Sequence, residues 1–112
     1  MNMPTIPNIK KAVAGAYNVS VKDIDSRTRK QPIAMARQAV LYYGRKLLGL
    51  NFQEMQSEFG RHHTSCIHSY YTIIDRREYD PETRDILNEL ESEFPWLKNE
   101  VPAKNSRKGH RR

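Results

Sequence analysis

Gly60-Arg61-His62-His63-Thr64-Ser65-Cys66-Ile67-His68 joins two short amphipathic segments, residues 51–59 and 64–76. A glycine supplies a turn, and a run of hydrogen-bonding side chains follows where a second helix would begin. The first turn of such a helix offers unpaired backbone N–H groups beside short polar side chains. The N–H groups suit phosphates and the side chains suit base edges. The pattern predicts a helix-turn-helix that meets DNA through residues 60–68.

The flanking sequence is helical in period nearly throughout. Ile9, Ala12, Val13, Ala16 and Tyr17 follow Pro7 at helical spacing, with Asn18 as the stop. Residues 19–25 read as a loop with one short turn. Residues 26–32, Ser-Arg-Thr-Arg-Lys-Gln-Pro, read as a polar basic loop, and Pro32 opens the next helix. Ile33, Ala36, Arg37, Val40, Leu41, Gly44, Leu47 and Leu48 form the longest apolar stripe and predict a central helix ended by Gly49. Asn51-Phe52-Gln53-Glu54 has capping-box spacing. Phe52, Met55 and Phe59 then give one buried face, and Ile67, Tyr70, Tyr71 and Ile74 the next. Asp80-Pro81-Glu82 is a helix start, with Ile86, Leu87, Leu90 and Phe94 inward. Pro95 stops that helix, and Trp96 and Leu97 fold back on the core. No strand period appears, so the expected fold is all-α, with one helical domain over 5–97 and a flexible basic tail over 98–112.

A chain of 112 residues suits one domain with a modest core. Its net charge of +6 makes nucleic acid a natural partner. The charge is segregated along the chain. Residues 1–77 hold twelve Lys/Arg against five Asp/Glu, residues 78–101 two against eight, and residues 102–112 five against none. Cys66 is the only cysteine, which excludes an internal disulfide and fits a reducing compartment. No apolar run reaches transmembrane length and Met1-Asn2-Met3-Pro4 has no signal-peptide character. The expectation is a cytoplasmic, nucleoid-associated protein with no membrane partner.

Residues 9–76 resemble the C-terminal DNA-binding domain of the bacterial replication initiator DnaA. Four blocks carry the resemblance: Val13-Ala14 through Val19-Ser20-Val21-Lys22-Asp23-Ile24; Ser26-Arg27-Thr28-Arg29; Ala36-Arg37-Gln38-Ala39 with Leu41-Tyr42; and Phe59 to His68. The last is similar to the family signature Gly-Arg-Asp-His-Thr-Thr-Val-x-His. The sequence departs from the family in having one glycine before Arg61, His62 for Asp and Ser65 for the second Thr. The resemblance implies a Trp-repressor-like helical fold with its helix-turn-helix over 51–76, followed here by an extra acidic helix. It implies a monomer on a short asymmetric site. No phosphate-loop motif occurs in the chain, so the initiator's ATPase is not expected.

Site roles follow from the resemblance and from side-chain chemistry. His62, His63, Thr64 and Ser65 are the candidates for base contact. Thr64 offers a methyl to thymine and a hydroxyl to a base edge. His63 donates or accepts according to its tautomer; for both residues the plain alternative is helix capping. His62 is expected to alter the base preference at one position, since protonated imidazole cannot accept as a carboxylate does. Arg29, with Arg27, is the candidate for the minor groove, against the alternative of a solvated charge run. Arg37, Arg61, Lys30, Gln53 and Arg45 are the candidates for phosphate contact.

Metal and enzyme readings find little support. His62, His63, His68 and Cys66 lack a zinc-ligand spacing, so neither metal nor cofactor is expected. Tyr42, Tyr43, Tyr70 and Tyr71 suit core packing better than stacking on single-stranded bases. No local catalytic signature appears, so an enzyme is not expected. The leading function is sequence-specific binding of double-stranded DNA for replication-origin recognition or transcriptional control. The alternative is an interaction module in which the acidic segment 78–101, with Glu89, Glu91 and Glu93 exposed, binds a replication or regulatory protein.

Overall fold

The computed structural model describes residues 4–99. Six helices follow one another: α1 (Ile6–Tyr17), α2 (Val21–Asp25), α3 (Ile33–Leu48), α4 (Phe52–Phe59), α5 (His63–Tyr79) and α6 (Pro81–Glu93). A 3-10 turn, Pro95–Lys98, follows them. There is no strand among the described residues, and the fold class is all-α. Most of the expected tail lies outside the described residues, but Lys98 belongs to the 3-10 turn and not to the tail.

Local chemistry sets the helix ends. The Thr5 hydroxyl accepts the Asn8 N–H, and Asn18 stops α1 in the left-handed region at φ 58°. The segment 19–25 is more ordered than its period suggests. Ser20 Oγ accepts the Asp23 N–H at 2.9 Å, and Asp23 Oδ2 accepts the Ser20 N–H at 3.4 Å. This reciprocal cap makes the one short turn expected in this segment a helix of five residues, α2. Asn51 and Glu54 form the same device on α4, at 2.8 and 3.0 Å. Gly60 ends α4 at φ 64°, a conformation in which a side chain would be strained.

The core forms around α3. Ala36, Ala39, Val40, Tyr43 and Leu47 are buried in the main cluster with residues of α1, α5 and α6. Leu41 faces the other way and packs with Leu50, Met55 and Cys66 beneath the helix-turn-helix. Gly44 lets α4 approach closely, since a Cβ there would lie 2.8 Å from the Phe59 ring.

Two expectations need correction. The buried residues of α5 are Cys66 and Ile73; Ile67 and Tyr71 are half-buried and Ile74 is exposed. The inward face is rotated by about one residue because the core receives α5 between α3 and α6. Glu91, expected to be exposed, is buried. Its carboxylate accepts the Tyr43 hydroxyl at 2.6 Å and both terminal nitrogens of Arg77 at 2.8 Å. A helix that must seat Leu87 and Leu90 also turns position 91 inward, and the ion pair with Arg77 compensates the burial.

Burial pushes the Glu91 carboxyl upward, but the hydrogen bonds from Arg77 and Tyr43 outweigh it and hold it below the usual glutamate value. A depressed folded value contributes stability above the unfolded carboxylate range, and this is lost as pH falls through the folded value. Glu91→Ala should therefore lower unfolding free energy at neutral pH by about 2–4 kcal/mol. Urea denaturation of both proteins from pH 7 to pH 3 should show that difference shrinking in acid.

Candidate nucleic-acid interface

The segment between α2 and α3 is built by alternation. Ser26 Oγ donates to the Asp23 carbonyl at 2.6 Å and lies 3.4 Å from the Thr28 N–H. Thr28 Oγ1 accepts the Lys30 N–H at 3.2 Å. Hydroxyls that bind the N–H two residues on make compact local turns. The residues between them, Arg27 and Arg29, are left exposed, as is Lys30.

Two further arginines hold this loop from behind. Arg37 donates from Nε to the Ile24 carbonyl at 2.9 Å, from Nη1 to Thr28 at 2.8 Å, and from Nη2 to Ser26 at 2.8 Å and Asp23 at 3.4 Å. Arg61, in the turn of the helix-turn-helix, donates from Nη2 to the same Ser26 carbonyl at 2.7 Å. Burial, then the nearby Arg61 charge, lowers the Arg37 pKa from its ordinary value. One carbonyl oxygen thus joins the basic loop to both the central helix and the turn before α5.

The start of α5 is capped by side chains. His62 is the N-cap, and its Nδ1 accepts the Thr64 N–H at 3.1 Å. Gln56 on α4 accepts the His63 N–H at 3.0 Å, with His63 Nδ1 3.1 Å from the same oxygen. The His62 and His63 rings stack at 4.4 Å. Thr64 and Ser65 are exposed on the first turn.

A groove of about 790 Å³ runs between the loop and α5. It brings together Arg27, Arg29, Arg37, Arg61, His62, Thr64 and Ser65, and adds Gln38, His68 and Ser69. Four guanidinium groups face a row of short hydrogen-bonding side chains, an arrangement able to bind a polyanion with hydrogen-bonding edges. His63, Lys30, Gln53 and Arg45 do not line the groove. Gln53 and Lys30 are exposed. Arg45 is engaged elsewhere, donating to the Leu50 carbonyl at 2.8 Å and lying 4.1 Å from the Phe52 ring centre.

Sequence reasoning missed Gln56, Gln38 and the inward work of Arg37 and Arg61. The Ser-x-Thr alternation was a visible sign of an ordered loop. Nothing local marked Gln56, which stands seven residues before its partner.

A model of the bacterial dnaA protein helix-turn-helix matches residues 6–73. The chain belongs to this DnaA helix-turn-helix family. The chromosomal replication initiator protein DnaA of Levilactobacillus brevis is 34% identical over 91 residues, 80% of this chain and 20% of that protein. That of Caldanaerobacter subterraneus subsp. tengcongensis is 34% identical over 86 residues, 77% of this chain and 19% of that protein. The chain thus spans about a fifth of the length of these curated relatives. For this DnaA-family chain, the matched region contains the groove-lining residues from Arg27 to Ser69. Among the described residues, no group of three or more His, Cys, Asp or Glu could hold a metal ion. No described helix is long and apolar enough to cross a membrane.

Because Arg37 binds four carbonyls, Arg37→Ala should loosen the loop before the fold as a whole. Limited trypsinolysis read by mass spectrometry should show cleavage after Arg27, Arg29 and Lys30 accelerated by about tenfold or more. Thermal melting should reveal a smaller loss of global stability.

Proposed function

We propose that this chain binds a specific double-stranded DNA sequence through two elements at once. α5 enters the major groove with His62, Thr64 and Ser65 toward base edges, and His63 holds the helix start through Gln56 while presenting its free ring edge. Arg29 and Arg27 enter the adjacent minor groove, where a narrow A·T tract concentrates negative potential. The observation that carries this reading is the groove that unites the exposed arginines and the first turn of α5. Family membership supports it independently.

Phosphate contacts fall to the exposed side chains of Lys30 and Gln53. Arg37 and Arg61 serve chiefly to hold the loop, with their free N–H groups directed at the backbone. Arg45 supports the turn before α4 and adds positive field. The relatives named as chromosomal replication initiators favour replication-origin recognition as the use of binding, with transcriptional control as the second reading. A single copy has both elements, so a monomer on a short asymmetric site suffices. The acidic helix is a weaker basis for a protein-binding module, since Glu91 faces inward and only Glu89 and Glu93 of its three candidate acids are exposed.

The test is selection of duplex DNA from a random library at about 150 mM salt. Wild type should enrich a short asymmetric motif containing A·T pairs. His63→Ala with Thr64→Ala should abolish enrichment while leaving weak, salt-sensitive binding. Equal, unselective binding by both proteins would overturn the proposal.

A further inference from the structure

The two stacked imidazoles at the start of α5 are held in opposite tautomers. His62 Nδ1 accepts the Thr64 backbone N–H, so the proton of the neutral ring lies on Nε2. The Gln56 side chain is oriented by the His63 backbone N–H, which requires its oxygen at that position. The same oxygen faces His63 Nδ1, and an acceptor there makes Nδ1 the donor. His63 Nε2 is then an acceptor. Stacking at 4.4 Å with 27° between the planes restrains both rings. Of the two, His62 lines the groove, beside Thr64 and Ser65.

Resting on the duplex-DNA reading, we propose that His62 is a specificity-determining residue that donates from Nε2 to guanine. In the major groove cytosine shows only its N4 amino donor, which cannot pair with another donor. Adenine offers N7 beside an amino group, and thymine offers O4 beside a methyl. Guanine offers N7 and O6 side by side, so a single N–H finds an acceptor over a range of approach angles. The selectivity comes from the helix cap: the bond that starts α5 also determines which nitrogen carries the proton.

The test compares wild type with His62→Asp. Aspartate is also a good N-cap, so α5 keeps its start, and thermal melting verifies the fold. Aspartate only accepts, which favours cytosine N4. Selection with wild type should enrich guanine by about tenfold at one position within the motif, and His62→Asp should shift that position to cytosine with the rest unchanged. The same base in both motifs, or cytosine in the wild-type motif, would overturn the assignment. A second measurement needs no DNA. Two-bond ¹H–¹⁵N spectra of the imidazoles should show Nδ1 unprotonated in His62 and Nε2 unprotonated in His63. The reverse tautomer in His62 would overturn the assignment even if a motif is enriched. Expected tautomers with no wild-type motif would instead sink the duplex reading and, with it, the guanine contact.

Discussion

A sixteen-residue helix that is apolar on nearly every side must be wrapped, and α3 is such a helix. Its main buried face packs on α1 and α5, with α6 reaching it through the Tyr43–Glu91 contact, while Leu41 and Gly44 meet the two helices of the helix-turn-helix. Full burial of side chains as large as Tyr43 and Leu87 supplies the main driving force, at roughly 25 cal/mol for each Å² of apolar surface removed from water. The polar consequence is the Tyr43–Glu91–Arg77 knot, because a tyrosine in the centre brings a hydroxyl that needs a partner. Burial also raises the Tyr43 phenol far above its ordinary value, so the hydroxyl remains a donor.

The same wrapping sorts the arginines. Those that leave α3 or the turn at the level of the loop, Arg37 and Arg61, find carbonyl oxygens and become internal struts. Those within the loop, Arg27 and Arg29, find none and face solvent. Charge at the surface is therefore displayed from a scaffold that is itself braced by charge. A guanidinium suits that bracing role because its five donors diverge in one plane and meet several carbonyls at once.

Much of this architecture was readable in the chain. Caps and glycines announced α1, α3, α4 and α6, and the period of α3 announced a central element. Asn51 with Glu54, and Gly60, behaved as their local chemistry requires. One difference is local: Ser20 and Asp23 close a cap with an aspartate, which is one carbon shorter than the usual glutamate. The others arose where tertiary contacts decide between neighbouring options. On α5, Ile67 and Ile74 are as apolar as Ile73, and only the position of α3 and α6 selects the face. Glu91 looked like its exposed neighbours Glu89 and Glu93, since its partners lie 14 and 48 residues away. At the site, the groove's candidates were named from resemblance and residue chemistry, but the division between display and support needed the third dimension. The orientation of His63 is likewise invisible to sequence, because its partner Gln56 is on another helix.

What Arg37 and Arg61 grip is main chain. Ser26, Thr28 and Ile24 offer carbonyl oxygens that every amino acid possesses, so the grip is indifferent to the side chains at 27, 29 and 30. Substitution at those three positions can therefore change the charge that the loop displays without renegotiating how the loop is mounted, much as an exchangeable bit is changed in a fixed chuck.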